Sequence, residues 1–124
     1  MTPLRILVVE DDAMIAMLFT EMLEGMGHDV CGSVASEAEA VAAARSLAPD
    51  LMIVDERLRI GTGPGAMIEI LSRGHVPHLF VTGNPPRVQQ VMPGSVVISK
   101  PFREAELIAG MNRAMSRAHA KPAA

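Results

Sequence analysis

The sequence predicts an α/β domain built on one open, doubly wound sheet of five parallel strands with helices on both faces. Three observations carry this. Short, nearly continuous apolar runs recur at residues 4–9, 30–34, 51–54, 79–81 and 96–98, and β-branched runs of that kind suit strands covered on both sides. Longer segments of helical periodicity separate them, so successive strands are joined by right-handed crossovers. The 124 residues show no internal repeat, and a chain of that size forms one domain able to bury a core without disulfides or metal.

In chain order, the first run, at 4–9, ends in Glu10-Asp11-Asp12. Ile15, Leu18, Phe19, Met22, Leu23 and Met26 then recur at helical spacing and predict one apolar stripe. Gly27 supplies the left-handed residue that ends such a helix. The run at 30–34 is weak. Ser36-Glu37-Ala38-Glu39 has the form of a capping box, opening an alanine-rich helix that stops before Pro49. After the run at 51–54 and Asp55, a third helix starts near Pro64, a favoured first position, and ends at Gly74. The interval 83–94 holds three prolines and two glycines. Only residues 87–92 read as helical there, which predicts a loop with a reduced or irregular fourth helix. The last helix carries Leu107, Ile108, Met111 and Met115 on one side and fades into the small residues 118–124. Residues 1–118 are therefore read as the domain and 119–124 as a short flexible tail.

Composition narrows the function. A net charge of −3 and a pI near 5.7 argue against nucleic-acid or anionic-membrane surfaces. Three phenylalanines without tyrosine or tryptophan are a poor base-stacking platform. The longest apolar run, 13–19, is too short to span a bilayer. The single Cys31 fits a reducing compartment, and the opening residues lack a secretory pattern, so a cytoplasmic location is expected. The four histidines have no metal spacing and read as surface or edge residues, and the ten methionines as core filler or a Met-bearing partner face.

In open α/β sheets ligands bind beyond the carboxyl ends of the strands. Those ends deliver Glu10, Asp11 and Asp12 from the first strand, Asp55 from the third, Thr82 from the fourth and Lys100 from the fifth. Carboxylates held together repel and hold their protons more tightly. A hard cation such as Mg²⁺, which takes a few carboxylates plus water and phosphate oxygens, removes that cost. Asp55 then has the chemistry of a nucleophile that accepts a phosphoryl group, with Lys100 and Thr82 placed to meet its oxygens. Helix capping is the plain alternative for Glu10-Asp11-Asp12, a strand-end turn for Asp55 and Thr82, and a solvated cation for Lys100.

Leu7-Val8-Val9-Glu10-Asp11-Asp12, Asp50-Leu51-Met52-Ile53-Val54-Asp55, Val81-Thr82-Gly83 and Ser99-Lys100-Pro101-Phe102 together resemble the receiver domain of two-component response regulators, from about residue 5 to 116. The resemblance implies a flavodoxin-like sheet of order 2-1-3-4-5. It implies Asp55 as phosphoacceptor, with Mg²⁺ held by Asp11 directly, Glu10 through water, Asp55, and the backbone carbonyl of Arg57. Asp12 falls to the helix cap. Thr82 becomes the switch hydroxyl, Lys100 the ammonium pairing with phosphate, and the Lys100–Pro101 bond cis. The partners implied are a histidine kinase or phosphotransfer protein, and a downstream regulator or a second copy of the chain. Such a protein is a switch rather than an enzyme, acting at most on its own phosphoryl group.

Departures from the family pattern are specific. Val97 stands where receivers carry a switch aromatic, so the usual threonine–aromatic coupling is absent or replaced. Pro77-His78-Leu79-Phe80-Val81-Thr82-Gly83 is similar to the Pro-Phe-x-Phe-Ala-Thr-Gly signature of an atypical receiver subgroup with a reduced fourth helix. That subgroup is often single-domain and works with HWE-type kinases. Arg59 replaces the usual proline four residues after the acceptor, and Gly61, Gly63 and Gly65 predict a pliable loop. The missing aromatic leaves a phosphorylation-independent adaptor as the alternative function. A phosphatase with an aspartyl nucleophile would need an acid where Arg57 stands, and a flavin phosphate would be repelled by the acidic strand end.

Overall fold

The computed structural model describes residues 2–119. Five strands form one parallel sheet of order β2-β1-β3-β4-β5, as the sequence predicts. The strands are β1 (Arg5–Val9), β2 (Asp29–Val34), β3 (Leu51–Asp55), β4 (His78–Thr82) and β5 (Val97–Ser99). They alternate with α1 (Ala13–Gly25), α2 (Glu37–Leu47), α3 (Gly63–Leu71), α4 (Pro85–Val91) and α5 (Glu104–His119). Residues 120–124 of the expected tail lie outside the described residues. No described helix is long and apolar enough to cross a membrane.

The continuous apolar runs follow from burial on both faces, because successive side chains of a strand point to opposite sides. Ile6, Val8, Leu51, Ile53, Leu79, Val81 and Ile98 pack with Phe19 and Leu23 of α1 and Leu107 and Met111 of α5. Leu7, Val9, Met52, Val54 and Phe80 pack with Ala40 and Ala44 of α2, Met67 and Ile70 of α3, and Val88 of α4. Each Val, Leu, Ile, Met or Phe among them, fully withdrawn from water, contributes roughly 1.5–3 kcal/mol. The weak run at β2 is the edge strand, and its register against β1 slips between Ile6 and Leu7, leaving Cys31 unmatched.

Several expectations need correction. The stripe on α1 is only half buried: Phe19 and Leu23 face the sheet, whereas Ile15 and Leu18 join Met14 and Met17 on an exposed apolar face. Met14 is 72% exposed and Met17 60%, so these two are not core filler. His28 is buried rather than at the surface, its Nδ1 accepting from the Leu4 amide at 3.0 Å. The fourth helix is short, as expected, but begins two residues early. Asn84 caps it and Pro85 and Pro86 take its first positions, where a missing amide hydrogen costs nothing.

Candidate functional site

Four strand ends meet at one edge of the sheet. Glu10 follows β1, its amide still donating to Val34 in the ladder, and its side chain is buried. The chain then turns into α1, and Asp12 becomes the cap, its Oδ1 accepting from the amides of Met14 at 2.9 Å and Ile15 at 3.2 Å. That removes Asp12 from the cluster. Single oxygens of Glu10, Asp11 and Asp55 lie within 4.8 Å of one another, and no other such acidic, histidine or cysteine cluster occurs among the described residues.

The electrostatic cost of this arrangement falls on Glu10. Its Oε2 accepts from the Asp12 amide at 2.9 Å, while its Oε1 is buried with no hydrogen-bond partner among the described residues. Burial, reinforced by the Asp55 charge and by Asp11, pushes the Glu10 carboxyl up to about 7; the Asp12 amide and Lys100 only partly oppose this.

Asp55 closes β3, and its carboxylate is largely shielded. Lys100 reaches it from the end of β5, Nζ to Oδ1 3.0 Å. The Lys100 amide donates to the Thr82 carbonyl at 2.8 Å, and the Lys100–Pro101 bond is cis, as expected. Arg57, two residues past Asp55, bridges to Thr62.

The loop between β3 and α3 is pinned, contrary to the pliability expected of its glycines. Glu37 of α2 accepts from the Thr62 amide at 3.0 Å through Oε1, and its own amide donates to Ile60. The Gly63 amide donates to the Glu56 carbonyl at 2.8 Å. A Cβ on Gly63 would stand 2.2 Å from the Asp55 carbonyl oxygen, and one on Gly61 2.4 Å from the Glu37 Cβ. These glycines permit close approach.

Thr82 is buried at 2% exposure, and its hydroxyl is already committed. It donates to Glu56 Oε1 at 2.5 Å and accepts from the Asn84 amide at 2.9 Å. Glu56 in turn receives the Arg87 fork, Nε on Oε2 and Nη2 on Oε1. The guanidinium holds the Glu56 carboxyl below its usual range against the opposing effect of burial, with Thr82 assisting. Sequence reasoning missed Glu56 and Arg87. The one available signal was an acid directly after a strand-end aspartate, with an arginine in the proline-rich interval.

A doubly wound parallel sheet that gathers carboxylates from its first and third strands against an ammonium from its fifth defines a class of α/β proteins with a charged site beyond the carboxyl ends of the strands. The chain belongs to one family within that class: the family model for the response regulator receiver domain matches residues 6–112. The phyllosphere-induced regulator PhyR of Methylorubrum extorquens is 35% identical over 116 residues, covering 90% of this chain and 43% of PhyR. The transcriptional regulatory protein PdtaR of Mycobacterium tuberculosis is 33% identical over 119 residues, covering 93% and 58%. The chain thus spans about half the length of the curated relatives it matches. Among solved structures, the solution structure of the PhyR receiver domain from Erythrobacter litoralis superposes with a TM-score of 0.85 at 27% identity, covering 98% of this chain and 96% of that one. The crystal structure of the response regulator PhyR from Brucella abortus gives 0.84 at 29%, covering 96% and 50%.

Proposed function

We propose that this chain is a phosphoacceptor switch: a histidine kinase or phosphotransfer protein donates a phosphoryl group to Asp55, and the changed surface is read by a downstream regulator or a second copy of the chain. The observation that carries the reading is the pairing of Lys100 with Asp55 at 3.0 Å while Glu10 and Asp11 crowd the same carboxylate. Residues 1–118 act as the receiver unit, in the cytoplasm, and turn over nothing beyond their own phosphoryl group.

A divalent cation fits the residues present. Among the described residues Glu10 Oε1 is buried and unpaired, and the three clustered carboxylates are met by the Lys100 ammonium at Asp55. Mg²⁺ would be held by Asp11, Asp55 and the Arg57 carbonyl, with Glu10 through water. When bound, it offsets the negative charge of the cluster and of an incoming phosphoryl group. An Asp55 oxygen attacks phosphorus, the bond from phosphorus to the donor breaks, and the donor leaves with that electron pair. Lys100 then shifts from the carboxylate to a phosphoryl oxygen, and the Thr82 hydroxyl supplies a further donor. Charge-assisted hydrogen bonds of this kind contribute about 1.5–3 kcal/mol each. Two of them are comparable with the roughly 5.5 kcal/mol that inverts a two-state equilibrium from 1:99 to 99:1.

Incubation with acetyl phosphate and Mg²⁺ tests the reading. Intact-mass measurement is expected to show one phosphoryl adduct, absent from Asp55→Asn and from samples with EDTA. Val97, half-buried beside Phe80 where an aromatic would swing, favours the alternative of a phosphorylation-independent adaptor. Partner binding that Asp55→Asn leaves untouched would establish that alternative instead.

A further inference from the structure

We propose that Thr82, Glu56 and Arg87 form the device that reports the state of Asp55 to α4. The proposal rests on the phosphoacceptor reading of Asp55.

Asp55 and Glu56 are consecutive, so their side chains leave the strand end in opposite directions. Asp55 enters the acidic site. Glu56 enters the space beneath α4, where it is buried and both its oxygens are occupied. Its amide still donates to the Val81 carbonyl, so the carboxylate stands at a fixed place between β3 and β4.

Thr82 lies at the junction. A hydroxyl carries one hydrogen, so it donates to Glu56 or to a phosphoryl oxygen on Asp55, never to both at once. Turning toward Asp55 takes a donor from a buried carboxylate and an acceptor from the Asn84 amide. Asn84 is the residue that caps α4, its Oδ1 accepting from the Arg87 amide at 3.3 Å. Arg87 is the α4 side chain that answers Glu56. One χ1 rotation of Thr82, which carries its oxygen away from both partners, therefore disturbs both the cap of α4 and the ion pair that ties it to β3.

α4 is suited to respond. It has seven residues, begins with two prolines that donate no hydrogen bonds, and buries only Val88. Val97, paired with Phe80 on β5, is restricted about χ1 and offers no ring to turn. The Glu56–Arg87 pair thus takes over the coupling by charge rather than by ring packing.

Hydrogen exchange read by mass spectrometry, with the phosphorylated fraction of the same samples determined by intact mass, tests this. In the unmodified chain, phosphorylation by acetyl phosphate and Mg²⁺ is expected to speed exchange of the amides of residues 87–92 about ten- to a hundredfold, in line with the loss of one charge-assisted hydrogen bond. Arg87→Ala is expected to show the fast exchange before phosphorylation and little change after it. Glu56→Gln should lie between, and Arg87→Lys should restore part of the response. Cooperative melting of Glu56→Gln and Arg87→Lys, with midpoints above the assay temperature, keeps the comparison within folded protein. If Arg87→Ala responds to phosphorylation as fully as the unmodified chain, or if Glu56→Gln leaves α4 exchange unaltered in both states, the coupling is overturned while Asp55 keeps its role. If no mass is gained at Asp55, the phosphoacceptor reading falls and the coupling falls with it.

Discussion

Replacing Glu10 by glutamine should make the metal-free protein more stable above neutral pH and change it little in acid. The carboxyl is pushed from an ordinary 4.5 to about 7, chiefly by burial, and one of its oxygens has no partner. A group that binds its proton more tightly in the folded than in the unfolded chain stabilises the fold fully below the unfolded value. It loses that contribution as pH rises through the folded one. The interval from 4.5 to about 7, at about 1.4 kcal/mol per pH unit, amounts to roughly 3 kcal/mol. Glutamine stays neutral throughout and still offers an oxygen to the Asp12 amide. The assay is urea unfolding in EDTA across this pH range, comparing Glu10→Gln with the unmodified chain so that all other titrations cancel. The difference should grow from near zero at about pH 4.5 to roughly 3 kcal/mol at about pH 8. Mg²⁺ at a hundred times its dissociation constant should return about 2.7 kcal/mol to the unmodified chain. A difference that stays constant across the range would refute the assignment of the buried charge to Glu10.

Two further predictions concern the frame around the site. Gly63→Ala should cost about 1–3 kcal/mol in urea unfolding, since the new methyl group meets the Asp55 carbonyl and Val54. Gly83→Ala, with nothing within 4 Å of the added carbon, should fall within about 0.5 kcal/mol of the unmodified chain. Burial holds His78 below the usual histidine range. Stability should therefore fall as pH drops through the unfolded value of 6.5, where the unfolded chain takes up a proton that the fold resists. His78→Gln should flatten that acid-side decline, as read by melting temperature against pH.

Most of the architecture was legible because it rests on local pattern. Continuous apolar runs marked buried parallel strands, and Ser36-Glu37-Ala38-Glu39 marked the start of α2, where Ser36 Oγ accepts from the Glu39 amide. The acidic cluster and Lys100 were legible because residues that end strands in such a sheet share one edge. What escaped depends on direction in space. Helical spacing could not tell that Ile15 and Leu18 face away from the sheet while Phe19 and Leu23 face it. The burial of His28 comes from a contact with Leu4, 24 residues away in sequence. The glycines after Asp55 suggested freedom, yet the reach of Glu37 from α2 fixes that loop. Glu56 was hidden beside a more conspicuous neighbour, and its partner Arg87 lies 31 residues further along.

The strand order also acts as a ruler. β4 lies between β3 and β5, so Lys100 must bridge two strand spacings, roughly 9–10 Å, to touch Asp55. Only a long, unbranched cation completes that span, and a shorter polar residue at position 100 would leave the acceptor without its tether however well it bonded. Thr82, on the strand that is crossed, sits under the bridge. Tolerance to substitution at these two positions is thus set by distance across the sheet before charge enters the question.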